Sequence, residues 1–456
     1  RQFIGTNQML AYLVMMAVRL VELHRVLKPT GSLYLHCDPT ASHYLKIVLD
    51  TIFGPQNYVN EITWKRRQGM HNTSRSFGSV TDTILFYSKS QDYIFNKQYG
   101  AYDQEYIDNF FDHVEPDGRK YQLADLTNPA DRPNLKYEYK GYPSPPKGWA
   151  VTLERMKQMD AEGRLWFPPN PKGRIRRKQY LDERLGQPIE SLWEDIRPIS
   201  AQAAERLGYP TQKPLALLER IIQASSNPGD IVLDPFSGCG TAISAAQKLD
   251  RCWIGIDITH LAIAMHKSRL KDMFNLEPGK DYKVIGEPAD LESARQLAQD
   301  DRYQFQWWAL SLVEARPRGG QTGDRQGKKG SDRGIDGLIP FVDDATGKPK
   351  YVVVQVKSGH VNSATIRDLS GTMVREEAPI GVLITLEKPT SEMIKEEVSA
   401  GFYTSALWQQ KYQRIQILSI EDLLDGKSIH MPPAYSTFKK AQKVKKSEGE
   451  QGALGI

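Results

Sequence analysis

The sequence predicts an α/β fold in which short apolar strands alternate with amphipathic helices. The strand–helix–strand pattern runs through residues 28–90, resumes at residue 211 after an irregular region, and appears again beyond a charged, glycine-rich linker at residues 316–333. Such alternation is typical of a mostly parallel sheet with helices on its faces. At about 100–200 residues per domain, a chain of 456 residues is long enough for roughly two to four domains.

Composition and charge narrow the class of protein. The mean hydropathy is −0.51, and the most apolar N-terminal stretch, residues 9–18, is too short to span a bilayer and lacks a signal-peptide cleavage pattern. The three cysteines, Cys37, Cys239 and Cys252, do not form a disulfide framework or a zinc pattern, which favours a reducing cytoplasm. A net charge of +5 permits a polyanionic partner without requiring one. We therefore expect a cytoplasmic protein with no membrane partner.

The N-terminal elements follow from apolar spacing and from the residues that end them. Apolar side chains at helical spacing predict a first helix, which ends at Lys28-Pro29, and a second helix ends at Gly54-Pro55. Runs of β-branched and aromatic residues predict the strands. The predicted elements are a helix over 7–27, a strand over 32–37, a helix over 42–53, and strands over 58–64 and 80–88.

Residues 91–205 are rich in Tyr, Trp, Pro and charge and show little periodicity. Within them, residues 164–180 carry six basic side chains and no acidic one. This stretch is either a solvated basic loop or a surface that neutralises DNA phosphates. Its basic residues are Arg164, Lys172, Arg174, Arg176, Arg177 and Lys178.

Regular elements return after residue 211. Pro214 opens a helix that stops at an Asn-Pro-Gly-Asp sequence. The last segment, 439–456, is rich in Lys, Glu and Gly and is predicted to be disordered. The predicted elements are helices over 214–226, 241–249 and 260–274 and strands over 231–233, 252–256, 351–356 and 380–386.

A glycine-containing loop between a predicted strand and helix is the first candidate site. The sequence Asp-Pro-Phe-Ser-Gly-Cys-Gly-Thr occupies residues 234–241, and Gly238 and Gly240 allow the backbone to approach a ligand closely. Asp257 ends the next predicted strand, where a carboxylate can accept hydrogen bonds from ribose hydroxyls. The combination predicts a nucleoside-containing cofactor, although a tight structural turn would also explain the two glycines.

The charge of this loop indicates which cofactor fits. No Gly-Lys-Ser/Thr sequence follows the glycines, so a phosphate cradle is not predicted. Asp234 at the strand end disfavours a pyrophosphate and suits a cationic ligand. S-adenosylmethionine combines an adenosine with a positive sulfonium and an ammonium group, and it fits both observations.

Two segments resemble motifs of the amino-group DNA methyltransferases. Residues 234–241 are similar to the methionine-binding motif of that family, and Tyr209-Pro210-Thr211-Gln212-Lys213-Pro214 is similar to its Thr-Gln-Lys-Pro motif. The resemblance covers residues 1–275. It implies a Rossmann-like fold that binds S-adenosylmethionine and methylates an exocyclic amino group of adenine or cytosine in double-stranded DNA. The cofactor-binding residues that it implies are Asp234, Phe236, Gly238, Gly240, Thr241, Asp257, Thr211 and Lys213.

The order of the motifs resembles the permuted branch of that family. The catalytic half would occupy residues 1–90, an inserted target-recognition region residues 91–205, and the cofactor-binding half residues 206–290. One motif departs from the family: an acidic or amide residue followed by Pro-Pro and an aromatic residue is absent, and Asp38-Pro39-Thr40 lacks the second proline and the aromatic ring. Because the chain opens with Arg1, we expect it to begin downstream of the missing strand. In this form it is expected to bind cofactor weakly and to methylate little or nothing.

A second candidate site lies beyond the linker. Alternation along the predicted strand at 351–356 and beyond puts Gln355 and Lys357 on one face, and Asp336 lies in a glycine-flanked turn 19 residues before Gln355. An acid, an amide oxygen and a lysine can hold a divalent cation and an attacking water. The alternative is an Asp in a turn and polar residues on an exposed strand face.

Residues 300–425 resemble the Mrr-type branch of the PD-(D/E)xK nucleases. Gly334-Ile335-Asp336-Gly337 and Gln355-Val356-Lys357 carry the resemblance, with Gln in place of the middle acid, and Glu314 is a candidate for the helix acid of some members. The resemblance implies a restriction-endonuclease-like α/β domain that cleaves DNA with Mg²⁺. Asp336 and Gln355 would hold the metal, and Asp336, Gln355 and Lys357 would be catalytic.

The leading interpretation is therefore a restriction–modification protein, a DNA methyltransferase fused to a nuclease-like domain. The first alternative is a modification-dependent nuclease that uses the methyltransferase part as a DNA-reading scaffold. The second is a non-catalytic DNA-binding protein in which both sites are degenerate. The recognition sequence, the target base and the oligomeric state stay open.

Overall fold

The computed structural model divides into two compact units, residues 1–95 with 192–456 and residues 96–191. The structure describes residues 7–67, 75–200, 202–203, 205–207, 209, 211–318, 334–343 and 349–433. Most of the predicted linker at 316–333 and all of the predicted disordered tail at 439–456 lie outside these ranges. No helix in the described part of the chain is long and apolar enough to cross a membrane.

The N-terminal elements form three neighbouring strands covered by two helices. Strand β3 lies between β1 and β2 and is antiparallel to both. The prediction of a mostly parallel arrangement is wrong here, because β1 and β2 flank an inverted strand. The elements are α1 (Gln8–Val26), β1 (Ser32–Cys37), α2 (Ser42–Phe53), β2 (Tyr58–Lys65) and β3 (Thr81–Ser88).

The core of this half lies between the sheet and the two helices. Leu20 of α1 and Leu45 and Leu49 of α2 are fully buried, and Leu85 and Tyr87 of β3 lie in the same apolar cluster. Burial of side chains of this size contributes about 1.5–3 kcal/mol each. The cluster therefore fixes the inner strand β3 between its two neighbours.

Residues 96–191, where the sequence shows little periodicity, fold as a compact unit of short strands. Four strands form an antiparallel sheet in the order β5-β6-β8-β7, and Trp149, Met156 and Ile175 are buried in its core. The predicted basic stretch at 164–180 becomes β7, a turn and β8. The elements are β4 (Tyr99–Gly100), α3 (Gln104–Phe110), β5 (His113–Val114), β6 (Lys120–Asp125), α4 (Leu153–Ala161), β7 (Leu165–Trp166), β8 (Arg176–Tyr180) and β9 (Gln187–Pro188).

The chain then returns to the first unit and builds the half that carries the glycine loop. Strand β10 adds to β2 in parallel, and β11 pairs in parallel with β12, with Asp234 opposite Gly255. The hydroxyl of Tyr34 on β1 lies 2.7 Å from that of Ser225 on α5, so this helix contacts the N-terminal half. The elements are β10 (Leu192–Trp193), α5 (Leu215–Ser225), β11 (Ile231–Asp234), α6 (Thr241–Lys248), β12 (Cys252–Gly255) and α7 (His260–Phe274).

The C-terminal part has its own five-stranded sheet in the order β13-β14-β15-β16-β19. Strands β14 and β15 are antiparallel, whereas β15, β16 and β19 are parallel and have helices on both faces. Glu314, considered on sequence as a helix acid, instead lies in an exposed turn after α9 with φ 54°. The elements are α8 (Leu291–Asp300), α9 (Arg302–Leu312), β13 (Arg316–Pro317), β14 (Gly337–Val342), β15 (Pro349–Lys357), α10 (Ser363–Arg375), β16 (Ile380–Thr385), α11 (Ser391–Ser399), β17 (Phe402–Thr404), β18 (Lys411–Gln413), β19 (Ile415–Ser419) and α12 (Ile420–Leu424).

Candidate functional site

The glycine loop lies at the carboxyl end of β11 and leads directly into α6. Gly238 and Gly240 have φ values of 52° and 72°, in the left-handed region that favours glycine. A Cβ atom on Gly238 would lie 3.0 Å from Cε1 of Tyr209, and one on Gly240 would lie 2.8 Å from Cδ2 of His266. Both glycines are therefore required by backbone conformation and by close neighbours.

Asp257 fixes this loop against the next strand. Its Oδ2 accepts a 2.9 Å hydrogen bond from the Gly238 amide, and its Oδ1 accepts from the amide and hydroxyl of Thr259, both at 2.9 Å. A carboxylate offers about four acceptor positions. The residue predicted to bind ribose hydroxyls thus also holds the loop, and three of its acceptor positions are engaged by the protein.

Asp234 supplies a second carboxylate at the same edge of the sheet. Its Oδ1 accepts a 3.1 Å hydrogen bond from the Phe236 amide. Burial raises the pKa of the Asp234 carboxyl, the Phe236 amide opposes that shift, and the charge of Asp257 adds to it. A positive group between Asp234 and Asp257 would favour ionisation of Asp234. The side chain of Phe236 is 47% exposed and available for contact.

The Thr-Gln-Lys-Pro segment contributes a residue that the sequence analysis did not single out. The side chain of Gln212 accepts a 2.8 Å hydrogen bond from the Leu207 amide and donates one of 2.6 Å to the Glu205 carbonyl. The Glu205 carboxylate in turn accepts from the Leu215 amide at 3.1 Å. Gln212 therefore ties the segment before α5 together, while Thr211 is exposed.

Tyr209 is a second residue that the sequence analysis missed. Its ring lies against Gly238, and its pKa is raised by burial and by the charge of Asp257. Its position in the motif, two residues before Thr211, was visible in the sequence, but its contact with a loop almost 30 residues away was not. The structure thus brings the start of the Thr-Gln-Lys-Pro segment onto the glycine loop.

Lys213 connects the motif to the N-terminal half. Burial lowers the pKa of its ammonium group, whereas the charge of Asp82 on β3 raises it. Asp82 also accepts a 2.8 Å hydrogen bond from Nε2 of His36 and forms a 3.0 Å ion pair with Arg66. Although burial raises the pKa of Asp82, the His36 hydrogen bond and the Arg66 and Lys213 charges give a net decrease. The Lys213 ammonium itself donates a 3.2 Å hydrogen bond to the Thr211 carbonyl, so its link to Asp82 is an interaction of charges without a hydrogen bond between them.

The basic stretch is only partly available to an outside partner. Arg164 pairs with Glu183 at 2.6 Å, and Lys178 pairs with Glu115 at 2.5 Å. These two cations stabilise the unit itself. The exposed members of the stretch are Lys172, Arg174, Arg176 and Arg177.

The second candidate site places Asp336 beside the end of β15 but gives its carboxylate protein partners. Oδ1 of Asp336 accepts a 2.8 Å hydrogen bond from Gln306 on α9, and Oδ2 accepts one of 2.7 Å from the Val356 amide. The Gln355 side chain is 4% exposed and donates to the Gly334 carbonyl. Lys357 follows on the same face of the strand and is half-buried. Across the described ranges, no group of three or more His, Cys, Asp or Glu side chains could hold a metal ion.

Comparison with known families matches the two parts of the chain separately. The family model described as DNA methylase matches residues 1–267. A second model, described as NACHT-associated inactive Restriction Endonuclease 1, matches residues 321–425.

Among curated proteins, the chain is similar to DNA-modifying enzymes of bacteria. It is 35% identical to the type II methyltransferase M.EcaI of Enterobacter cloacae over 249 residues, and this alignment covers 54% of each chain. It is 30% identical to the type II methyltransferase M1.MboII of Moraxella bovis over 230 residues, and this alignment covers 50% of this chain and 67% of that protein. It is 27% identical to the Mod subunit of the type III restriction-modification enzyme StyLTI of Salmonella typhimurium over 261 residues, and this alignment covers 54% of this chain and 39% of that protein. The chain spans about half the length of the curated relatives it matches.

The sequence identity to solved structures is lower than that to the curated proteins. A DNA modification methylase from Thermus thermophilus aligns with a TM-score of 0.32 and 17% identity, over 60% of this chain and 84% of that one. The complex of M1.HpyAVI with S-adenosylmethionine aligns with a TM-score of 0.27 and 20% identity, over 53% and 76%.

Proposed function

Because the chain belongs to the DNA methylase family, whose model matches residues 1–267 of its 456, we propose that it binds S-adenosylmethionine at the glycine loop. The methyl group would be transferred to an exocyclic amino group of adenine or cytosine in double-stranded DNA. The observation that carries this proposal is the loop itself. Gly238 and Gly240 turn in the left-handed region at the carboxyl end of β11, and Asp257 lies at the end of β12. Strand ends of this kind form the ligand crevice of doubly wound sheets.

The charges around the loop support a cationic cofactor. Burial and the charge of the neighbouring Asp257 raise the pKa of Asp234, so a positive charge placed here would stabilise its ionised carboxylate. S-adenosylmethionine supplies one as a sulfonium, which activates its methyl group for transfer, and a second as an ammonium. We propose that Asp234 and Asp257 bind these polar groups, and that Phe236, Gly238, Gly240 and Thr241 line the site. Thr211 and Lys213 would close it from the Thr-Gln-Lys-Pro segment.

Residues 96–191 are proposed to contact the DNA target. The exposed guanidinium groups of Arg174, Arg176 and Arg177 lie on or next to β8 and can neutralise phosphates. A flipped base must also be held by acceptors for its amino group and by an aromatic ring. The sequence contains no acidic or amide residue followed by Pro-Pro and an aromatic residue. The relatives reported above are bacterial proteins, and in a bacterial cell a DNA substrate would place the activity in the cytoplasm.

Cofactor binding and methyl transfer can be tested separately. Calorimetry should detect binding of S-adenosylmethionine and much weaker binding of NAD, which carries a pyrophosphate. Transfer of labelled methyl to plasmid DNA, followed by nucleoside analysis, would identify the base that is modified. We expect transfer only from a protein that also carries a base-holding motif. A folded chain that binds NAD in preference to S-adenosylmethionine would contradict the proposal.

For the C-terminal part we propose a restriction-endonuclease-like domain that contacts DNA, with Asp336, Gln355 and Lys357 at its centre. The hairpin of β14 and β15 supports this, because it brings Asp336 next to the end of the strand that carries the other two residues. Magnesium-dependent cleavage is the finer part of the proposal. It requires Mg²⁺ to compete with Gln306 and the Val356 amide for the Asp336 carboxylate. We therefore expect weak metal binding and low cleavage.

A further inference from the structure

We propose that His266 and Arg269, two buried residues of α7, are positioning residues that hold the glycine loop from the side opposite its ligand. Neither residue was indicated by a motif, and neither is among the groups assigned to the cofactor above. The inference rests on the proposed cofactor function for its consequence, but its structural basis does not depend on a ligand. Both side chains bond to carbonyl oxygens of the loop, at Gly238 and Cys239.

His266 contacts the loop in two ways. Its Nε2 lies 3.0 Å from the carbonyl oxygen of Gly238. Because a carbonyl oxygen only accepts, Nε2 carries the proton in this contact. The ring also lies beneath Gly240, where an added Cβ would come within 2.8 Å of Cδ2. With 8% of the residue exposed, the imidazole fills the space under the turn and donates to it.

Arg269 lies one helical turn further along α7 and is 3% exposed. Its Nη1 donates to the Cys239 carbonyl at 3.3 Å and to the Thr241 hydroxyl at 3.1 Å. Glu205 contributes a negative charge nearby. Burying a guanidinium is costly unless it is well hydrogen-bonded. The loop groups bonded to Nη1 offset part of this cost, whereas Nε is buried without a hydrogen-bond partner among the described residues, so the loop and Arg269 stabilise each other through Nη1.

These contacts determine which way the amides of the loop point. The Gly238 amide donates to Asp257, and the Gly240 amide donates to the Ser237 carbonyl at 2.8 Å. In a planar trans peptide the N–H points away from the C=O. With the Gly238 carbonyl directed at His266, the Cys239 N–H points away from α7. Among the described residues, no backbone carbonyl accepts from this N–H, so it is one of the loop amides that can donate to an acceptor atom of the ligand.

The test compares donor-deleting and donor-retaining variants of the full chain. His266→Phe keeps a ring under Gly240 but removes the donor, and Arg269→Met removes the guanidinium. Both should weaken S-adenosylmethionine binding by calorimetry about tenfold, since each leaves a buried carbonyl without its partner. His266→Gln retains an N–H donor and should restore binding to within about threefold of wild type. Lys267→Met breaks an ion pair with Glu287 without touching the loop and is the matched control on the same helix.

A second measurement separates this inference from the cofactor assignment. Hydrogen exchange of a peptide spanning residues 235–241 should be faster in His266→Phe and Arg269→Met than in wild type, with no ligand present. His266→Gln should exchange like wild type. Unchanged exchange and unchanged affinity in folded His266→Phe and Arg269→Met would overturn the positioning role. If wild type fails to bind S-adenosylmethionine while the exchange differences are found, the cofactor assignment is wrong and the positioning role stands. Where His266→Phe or Arg269→Met does not fold, the donor-free variants His266→Leu and Arg269→Leu take their place in the same two measurements.

Discussion

The backbone amide of Gly238 donates a 2.9 Å hydrogen bond to the carboxylate of Asp257. This bond joins the loop after β11 to the residue that follows β12, so the two halves of the candidate cofactor site are one hydrogen-bonded unit. If Asp257 binds the cofactor as proposed, a change at this residue would act both on the ligand and on the loop. The same carboxylate accepts two hydrogen bonds from Thr259, the residue that caps the N-terminus of α7.

Asp257→Ala is expected to weaken S-adenosylmethionine binding by more than tenfold. It removes the acceptor for Gly238, and an unsatisfied buried amide costs about 1–3 kcal/mol. Asp257→Asn keeps one acceptor oxygen and should have a smaller effect. Isothermal titration calorimetry measures both, and the exposed Glu292→Gln on α8 is the control for loss of a charge. Equal affinity in wild type and a folded Asp257→Ala would mean that the site lies elsewhere.

Gly238→Leu should abolish cofactor binding in a chain that still folds. The backbone at Gly238 is left-handed, and its Cβ would press on Tyr209. The matched control is Gly229→Leu. Gly229 also has a left-handed backbone, with φ 84°, but no atom lies within 4 Å of a Cβ added there. Both variants should lose about 1 kcal/mol of stability from backbone strain. Only Gly238→Leu should lose affinity, and retained affinity there would refute the loop as the binding site.

Where residues of the candidate site belong to one short segment, their local structure was predictable from the sequence, and their roles in binding stay predictions. The helix over 260–274 and the strand over 32–37 were predicted with the bounds that the structure gives, because apolar spacing and end signals agree there. The loop at 234–241 and Asp257 come together because parallel strands end at the same edge. Tyr209, His266 and Arg269 could not be predicted, since their roles arise from packing between distant segments.

The unit at 96–191 shows where periodicity carries too little information. Several of its strands are only two residues long, such as Leu165–Trp166 and Gln187–Pro188. Two residues cannot display the alternation that identifies a strand. Exposed basic residues such as Arg176 and Arg177 lie in β8. The composition of residues 164–180 allowed either a loop or a phosphate-binding surface, and the structure shows that part of this stretch is a strand.

Neutralising Arg174, Arg176 and Arg177 together should weaken DNA binding at all sequences. The slope of log affinity against log salt should become shallower by about 0.9 for each phosphate that is no longer neutralised. Arg164→Gln is the useful comparison, because Arg164 is paired with Glu183 and should alter stability more than the salt slope. Fluorescence anisotropy with a labelled duplex at several salt concentrations gives both the affinity and the slope. A triple variant with the wild-type slope would leave the stretch as a solvated part of the surface.

Acid should destabilise the fold in two stages. Burial lowers the pKa of His36 and of His266 below their usual range, so the native state binds fewer protons than the unfolded state. Their contribution to the free energy of unfolding is present above the unfolded pKa of about 6.5 and is lost as the pH falls below it.

The second stage comes from Asp343. Burial opposes a low pKa for Asp343, but hydrogen bonds from Ser405 and Tyr403 hold it at about 2. Its contribution is present above the unfolded pKa of about 3.9 and is lost towards pH 2.

Thermal unfolding between about pH 8 and pH 5 measures the first stage. The melting temperature of wild type should fall across this range, and the fall should be smaller in the double variant His36→Gln, His266→Gln, which cannot titrate at these positions. Identical pH profiles for wild type and the double variant would show that these two histidines do not contribute.

Plasmid nicking tests the C-terminal site. Asp336 carries the only full negative charge among the three candidate residues, so Asp336→Ala should lose both magnesium binding and any cleavage. Lys357→Ala should keep the metal but lose cleavage, because a lysine acts on the water and on the transition state. The exposed Lys395→Ala on α11 is the control. Cleavage that survives Lys357→Ala, or that a chelator does not stop, would exclude this site.

The hydrogen bond between Gln306 and Asp336 explains why wild type is expected to cleave poorly. Replacing Gln306 tests this explanation. Magnesium prefers oxygen ligands, whereas the 2.8 Å bond to Asp336 presents an amide N–H. Gln306→Glu would replace this donor with a second carboxylate of nearly the same shape. Two carboxylates at this distance either share a proton or bind a cation. We therefore expect magnesium to raise the melting temperature of Gln306→Glu more than that of wild type. If magnesium has no such effect while the variant folds, the Gln306 side chain is not what limits metal binding.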